Sequence, residues 1–138
     1  MAGRWLFKTE PTAYSFAQLQ RDRRTTWDGV KNAMALKYLR QVQKGDQLLI
    51  YHTGDEKAVV GVARAVSDAS PDGRDASLAV VDIVVAQALP RPVPLAAIKA
   101  NSQLQQWELA RLPRLSVMPV SAAQWAEIER MAGQGTRA

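Results

Sequence analysis

Three apolar, β-branched segments, 47–53 (QLLIYHT), 58–66 (AVVGVARAV) and 78–89 (LAVVDIVVAQAL), follow one another with no helical stretch between them. Parallel neighbours need a long crossover, usually a helix, whereas antiparallel neighbours join through short turns. The first two segments are joined by a turn around Gly54-Asp55, which favours antiparallel pairing. The expected architecture is therefore α+β: a curved or closed, barrel-like mixed β-sheet with short helices around it, not a parallel βαβ sheet.

The flanking segments supply those helices and about two more strands. Residues 4–8 (RWLFK) predict a strand ending near Glu10-Pro11, because the residue before proline is pushed out of helical geometry. Ser15 and Gln18 have capping-box spacing and predict a short helix. Residues 33–43 predict a second one, with Asn32 as N-cap, Met34, Ala35, Tyr38, Leu39 and Val42 at helical spacing, and Gly45 as the stop. The stretch 70–77 (SPDGRDAS) reads as an exposed loop, and 26–32 as another. After a break at Pro90-Arg91-Pro92, short helices are expected over 95–100 and 103–111, then a strand over 115–120 (LSVMPV). Ser121 and Gln124 repeat the capping box, and Trp125, Ile128 and Met131 form the stripe of a terminal helix.

A chain of 138 residues with 47% hydrophobic composition suits one core, so residues 1–138 are expected to form a single domain. The absence of cysteine excludes disulfides, thiolate nucleophiles and cysteine zinc sites. One histidine, His52, is too few for a histidine-built metal centre, so neither metal nor cofactor is expected. The apolar run Trp5-Leu6-Phe7 is far too short for a leader or a membrane span, and the expectation is a soluble, cytoplasmic monomer.

Charge is unevenly placed. Arg21, Arg23, Arg24, Lys31, Lys37, Arg40 and Lys44 face only Asp22 and Asp28 within 21–44, an excess equal to the whole chain's net +5. Such a segment concentrates a polyanion, and Lys31, Lys37, Arg40 and Lys44 are the expected phosphate contacts. The same residues also suit a merely solvated helix face.

Within it, Trp27-Asp28-Gly29-Val30-Lys31-Asn32 offers a ring that can stack on any base and an amide that can read a base edge. Trp27 suits a core position equally, and Asn32 suits an N-cap. Lys8-Thr9-Glu10-Pro11 and Tyr51-His52-Thr53 close two strands with polar groups that can line a pocket mouth. Alternation places Tyr51 and Thr53 on one face and His52 on the other.

These motifs, in this order and spacing, resemble the EVE domain family, as does the late Arg114-Leu115-Ser116-Val117 followed by Pro119-Val120. The resemblance spans nearly the whole chain. It implies a PUA-like mixed β pseudobarrel surrounded by short helices, binding DNA or RNA that carries a modified base, particularly modified cytosine. It further implies a base pocket drawn from Lys8, Thr9, Trp27, Asp28, Asn32, Tyr51, His52 and Arg114, with no catalytic residue. Many family members carry an aromatic or a proline after the asparagine. Here Ala33-Met34 follows, so the pocket is more open or Met34 gives it a softer wall. Two rivals stand beside this reading. One is a metal-free hydrolase of a nucleobase or nucleotide using Asp28 or Glu10 with Lys8, and the other is a general PUA-type RNA-binding module.

Overall fold

The chain-consecutive strands pair as antiparallel neighbours and form the middle of one mixed sheet. The computed structural model describes residues 3–133. In chain order its elements are β1 (Arg4–Thr9), α1 (Phe16–Asp22), β2 (Arg24–Trp27), α2 (Ala33–Leu39), β3 (Gln47–His52) and β4 (Ala58–Ala65). There follow β5 (Ser70–Asp72), β6 (Asp75–Pro94), α3 (Leu95–Ala100), α4 (Glu108–Arg111), β7 (Val117–Pro119) and α5 (Ala122–Met131). The sheet runs β2-β6-β4-β3-β1-β7, with β5 hydrogen-bonded to β6 off this path. All its pairings are antiparallel except β1 with β3.

The path does not close, but it curls. β1 and β2 are separated along it by β6, β4 and β3, yet Phe7 of β1 and Trp27 of β2 lie 5.4 Å apart, ring to ring. The short helices pack around this curl, the α+β arrangement anticipated above, with one apolar core cluster running from Trp5 to Ala132.

Both capping boxes form, at Ser15 with Gln18 and at Ser121 with Gln124. Several local expectations are corrected. The helix after Asn32 ends at Leu39, not residue 43, and a turn completes the approach to β3. Only Glu108–Arg111 is helical within 103–111, and the last strand shortens to Val117–Pro119. The segment 70–77 is not a loop: Ser70–Asp72 pairs with the start of β6, and only Gly73-Arg74 turns. Thr26 and Trp27 are not in a loop either, because β2 gains its hydrogen bonds from β6, a partner far away in sequence.

Pro90-Arg91-Pro92 does not break the strand. Gly61 of β4 pairs with Ala88 and Val59 with Val93, so residues 89–92 arch past the single residue Val60. A proline lacks the N–H that a ladder needs, and an irregularity in the register is where it is tolerated.

The register at Gly61 also seats α1. A Cβ at this position would lie 2.2–2.6 Å from three ring carbons of Phe16, so only glycine lets that ring pack down on β4. Gly61→Ala should therefore cost about 1–3 kcal/mol, the range for overpacking a core. Denaturant unfolding measures this, and the cost should shrink when Phe16→Leu is already present. Strictly additive losses would show that the ring is not the obstacle.

Candidate nucleic-acid interface

The in-register parallel pairing of β1 with β3 sets the two polar strand ends side by side, Lys8 opposite Tyr51 and Thr9 opposite His52. Alternation then sends the pairs to opposite faces of the sheet. On one face, Thr9 Oγ1 donates to the Tyr14 carbonyl at 2.7 Å, and the Tyr14 ring meets Trp27 edge-on at 6.3 Å. On the other, the Lys8 ammonium donates to the Pro113 carbonyl at 3.0 Å and stands 5.4 Å from the centre of the Tyr51 ring.

The first face opens into a cleft of about 590 Å³. Strand ends Lys8-Thr9-Glu10 and Thr25-Thr26-Trp27, Tyr14 and the loop Asp28 to Lys31 wall it. This volume falls in the usual range for small-ligand pockets. Trp27 is buried between Phe7 and Tyr14, and its indole N–H has no hydrogen-bond partner among the described residues, yet it is not sealed from solvent. Gly29 turns the loop at φ +76°, a left-handed conformation that favours glycine, and a Cβ there would meet only open space.

Of the charged groups of the cleft, Glu10, Asp28 and Lys8 are engaged with other partners, whereas Lys31 has none among the described residues. Glu10 accepts from the Thr12 N–H and hydroxyl. Asp28 pairs at 3.1 Å with Arg74, which reaches over from the tip of the β5–β6 hairpin. Burial lowers the pKa of the Lys8 ammonium, and it raises that of the Tyr14 phenol, whose OH also donates to Asp22 at 2.9 Å.

Of the residues singled out in the sequence, the cleft thus collects Lys8, Thr9, Trp27, Asp28 and Lys31. Asn32 and Arg114 stand instead in a neighbouring, mainly apolar groove of about 430 Å³, together with Met34, which is 48% exposed. The Asn32 side-chain oxygen is turned back to cap α2, accepting from Ala35 N–H at 3.0 Å. Tyr51 lines a third cavity beyond Lys8. His52 is buried, where its Nε2 accepts from Phe16 N–H at 3.0 Å, which fixes the proton on Nδ1, 2.7 Å from a Glu56 oxygen. It therefore joins the start of α1 to β3.

Arg40 donates to the Ser77 carbonyl, while Lys37 and Lys44 are exposed along α2 and the turn after it. Sequence reasoning passed over Tyr14, Thr25 and Arg74. Tyr14 directly precedes the cap of α1, a position where side chains commonly fold back, but nothing in 70–77 signals that Arg74 reaches Asp28. Among the described residues no three histidine, aspartate or glutamate side chains gather as metal ligands, and no helix is long and apolar enough to cross a membrane.

A family model described as the EVE domain matches residues 3–131. Human thymocyte nuclear protein 1 is 26% identical over a 157-residue alignment that covers 88% of this chain and 70% of the human protein. A solved structure from Rhodopseudomonas palustris superposes with a TM-score of 0.90 at 36% identity, covering 96% of this chain and 94% of that one. Human THYN1, solved in complex with DNA containing 5-methylcytosine, has a TM-score of 0.88 at 22% identity, over 96% and 99% of the two chains.

The capping geometry makes Asn32 testable by stability. Asn32→Ala should lose about 1 kcal/mol of folding free energy, the usual worth of an N-cap, with any base preference intact. Thermal or denaturant unfolding run beside a binding assay checks this. A stable variant with altered preference would move Asn32 into the recognition surface.

Proposed function

The chain belongs to the EVE domain family, and from that membership we propose that it is a non-catalytic reader of nucleic acid that takes one base, foremost a modified cytosine, into the cleft walled by Trp27. The observation that carries the reading is the Trp27 ring itself. It is fixed by Phe7 and Tyr14, borders the cleft of about 590 Å³, and its indole N–H has no hydrogen-bond partner among the described residues. The structural relative THYN1, bound to DNA with 5-methylcytosine, supports modified cytosine as the first base to try.

Thr25 offers a short polar group beside the ring, the Thr9 and Thr26 hydroxyls donating to the Tyr14 carbonyl and to Asp82, and Lys31 on the rim offers charge to a phosphate. Lys37, Arg40 and Lys44 extend that charge along α2, with Arg40 partly committed to Ser77. The rival hydrolytic reading needs Asp28 or Glu10 to act with Lys8. Asp28 is paired with Arg74, Glu10 accepts from Thr12, and the Lys8 amine is turned to Pro113, so each of the three is committed to a different partner. General acid–base work needs a group within hydrogen-bond reach of the reacting proton.

The test is a titration of oligonucleotides carrying cytosine or 5-methylcytosine, as DNA and as RNA, against wild type and Trp27→Ala. Stacking on an aromatic is worth about 1–3 kcal/mol per base, and the variant should lose that amount for the preferred strand. Because Trp27 also packs on Phe7, a folded variant must first be shown by circular dichroism. Equal affinity in a folded variant would return Trp27 to a purely structural role. The same mixtures, incubated and chromatographed, should contain no free base and no deaminated product. Product that disappears with Asp28→Asn would make the protein an enzyme.

A further inference from the structure

On the far face of the β1–β3 pair from the cleft lies a smaller cavity of about 200 Å³. Tyr51, Thr53 and Gly54 at the end of β3 form one wall, α3 and the residues around Pro113 the other. Three lysines line it: Lys8 from β1, Lys57 from the turn before β4 and Lys99 from the last turn of α3. None of its lining residues is acidic, and none of the three lysines has a carboxylate partner among the described residues.

Two further features set these lysines apart from ordinary surface charge. The Lys8 side chain is half buried, with its ammonium directed to the Pro113 carbonyl and beside the Tyr51 ring, both on this cavity. Lys57 has φ +48°, a left-handed backbone that costs a non-glycine residue energy. Its carbonyl accepts from Leu95 N–H at 2.8 Å, so the conformation is held by the first residue of α3 and carries the lysine to the cavity wall. Like charges drawn to one concavity without a counter-charge repel one another, and an anion seated among them removes that cost.

We propose that this cavity is an anion subsite that takes a phosphate of the same strand whose base occupies the cleft, the two being separated by the single side chain Lys8. The proposal rests on the base-reading role of the cleft. A strand crossing the end of the β1–β3 pair presents base to one face and phosphate to the other. Lys8 is then a shared wall, with its stem toward the base and its ammonium toward the phosphate.

Inorganic phosphate is the direct probe. In wild type, a phosphate titration followed by amide NMR should shift Gly54, Thr53 and Ala110 along a saturating curve. In Lys57→Gly/Lys99→Ala the response should be lost. Glycine at position 57 also suits the left-handed backbone, so this variant keeps the fold. For single-stranded oligonucleotide, the slope of log affinity against log salt should fall by about 0.7 for each lysine removed, while affinity for a free nucleoside stays unchanged. A cavity whose amides ignore phosphate, or an oligonucleotide slope unchanged in the double variant, overturns the subsite. Saturable phosphate binding by a wild type that takes no nucleoside would support the subsite and sink the base-reading role instead.

Discussion

The carboxylate of Asp46 holds the frame on which everything else is hung. Buried just ahead of β3, it accepts from the backbone of Gly3 at 2.7 Å, from the indole of Trp5 at 2.8 Å and from the backbone of Gln43 at 2.9 Å. Three N–H donors satisfy its two oxygens, and no cation pairs with it among the described residues. All three would be left unpaired if the carboxylate were removed, and the Trp5 indole would be left so out of water, which is the expensive direction for a buried hydrogen bond. One side chain thereby fastens the start of β1 to the start of β3 and to the turn that ends the α2 segment. A parallel pair has no tight turn to set its register, and a slip by one residue would exchange its two faces.

That register decides where the polar ends fall. The crossover between the paired strands contains α1, β2 and α2, so the elements carrying Tyr14, Trp27 and Lys31 all belong to the connection that the parallel pair demands. His52 and Gly61 then fasten α1 onto β3 and β4, the one by a hydrogen bond to Phe16 and the other by leaving room for its ring. The cleft is thus a by-product of threading a crossover around a curled sheet, with Trp27 at the point where the curl brings β2 back over β1.

Much of this was legible in the sequence wherever the signal was local. Capping boxes at Ser15 and Ser121 and the unbroken succession of β3, β4 and β6 are written in neighbouring residues, and they formed as expected. The motif ends Lys8-Thr9 and Tyr51-His52 were visible too, but not that a parallel pairing would place them together and then divide them between two faces. β2 escaped notice because RTTW lacks an apolar run and becomes a strand only through β6. The prolines at 90 and 92 signalled a break that the register of β4 absorbs. Asn32 shows the opposite difficulty: adjacency to Lys31 suggested a shared pocket, whereas its cap bond to Ala35 turns the amide away from the cleft.

The unusual length of β6 bears on how the molecule assembles. Its twenty residues serve three partners, β5, β4 and β2, at steadily increasing distance along the chain. Closing a short loop loses less entropy than closing a long one, so the β5–β6 and β3–β4 hairpins are the natural nuclei. The β1–β3 pair, whose Asp46 clasp bridges residues 43 apart, belongs to the late, slow steps. Since the cleft exists only after β1 and β2 have both joined the sheet, a folding intermediate built on β3 to β6 would hold most of its strands and none of its recognition surface. Fluorescence of Trp27, read with the other three tryptophans replaced by phenylalanine, would accordingly report the final step of folding, while the far-ultraviolet signal had already risen with the hairpins.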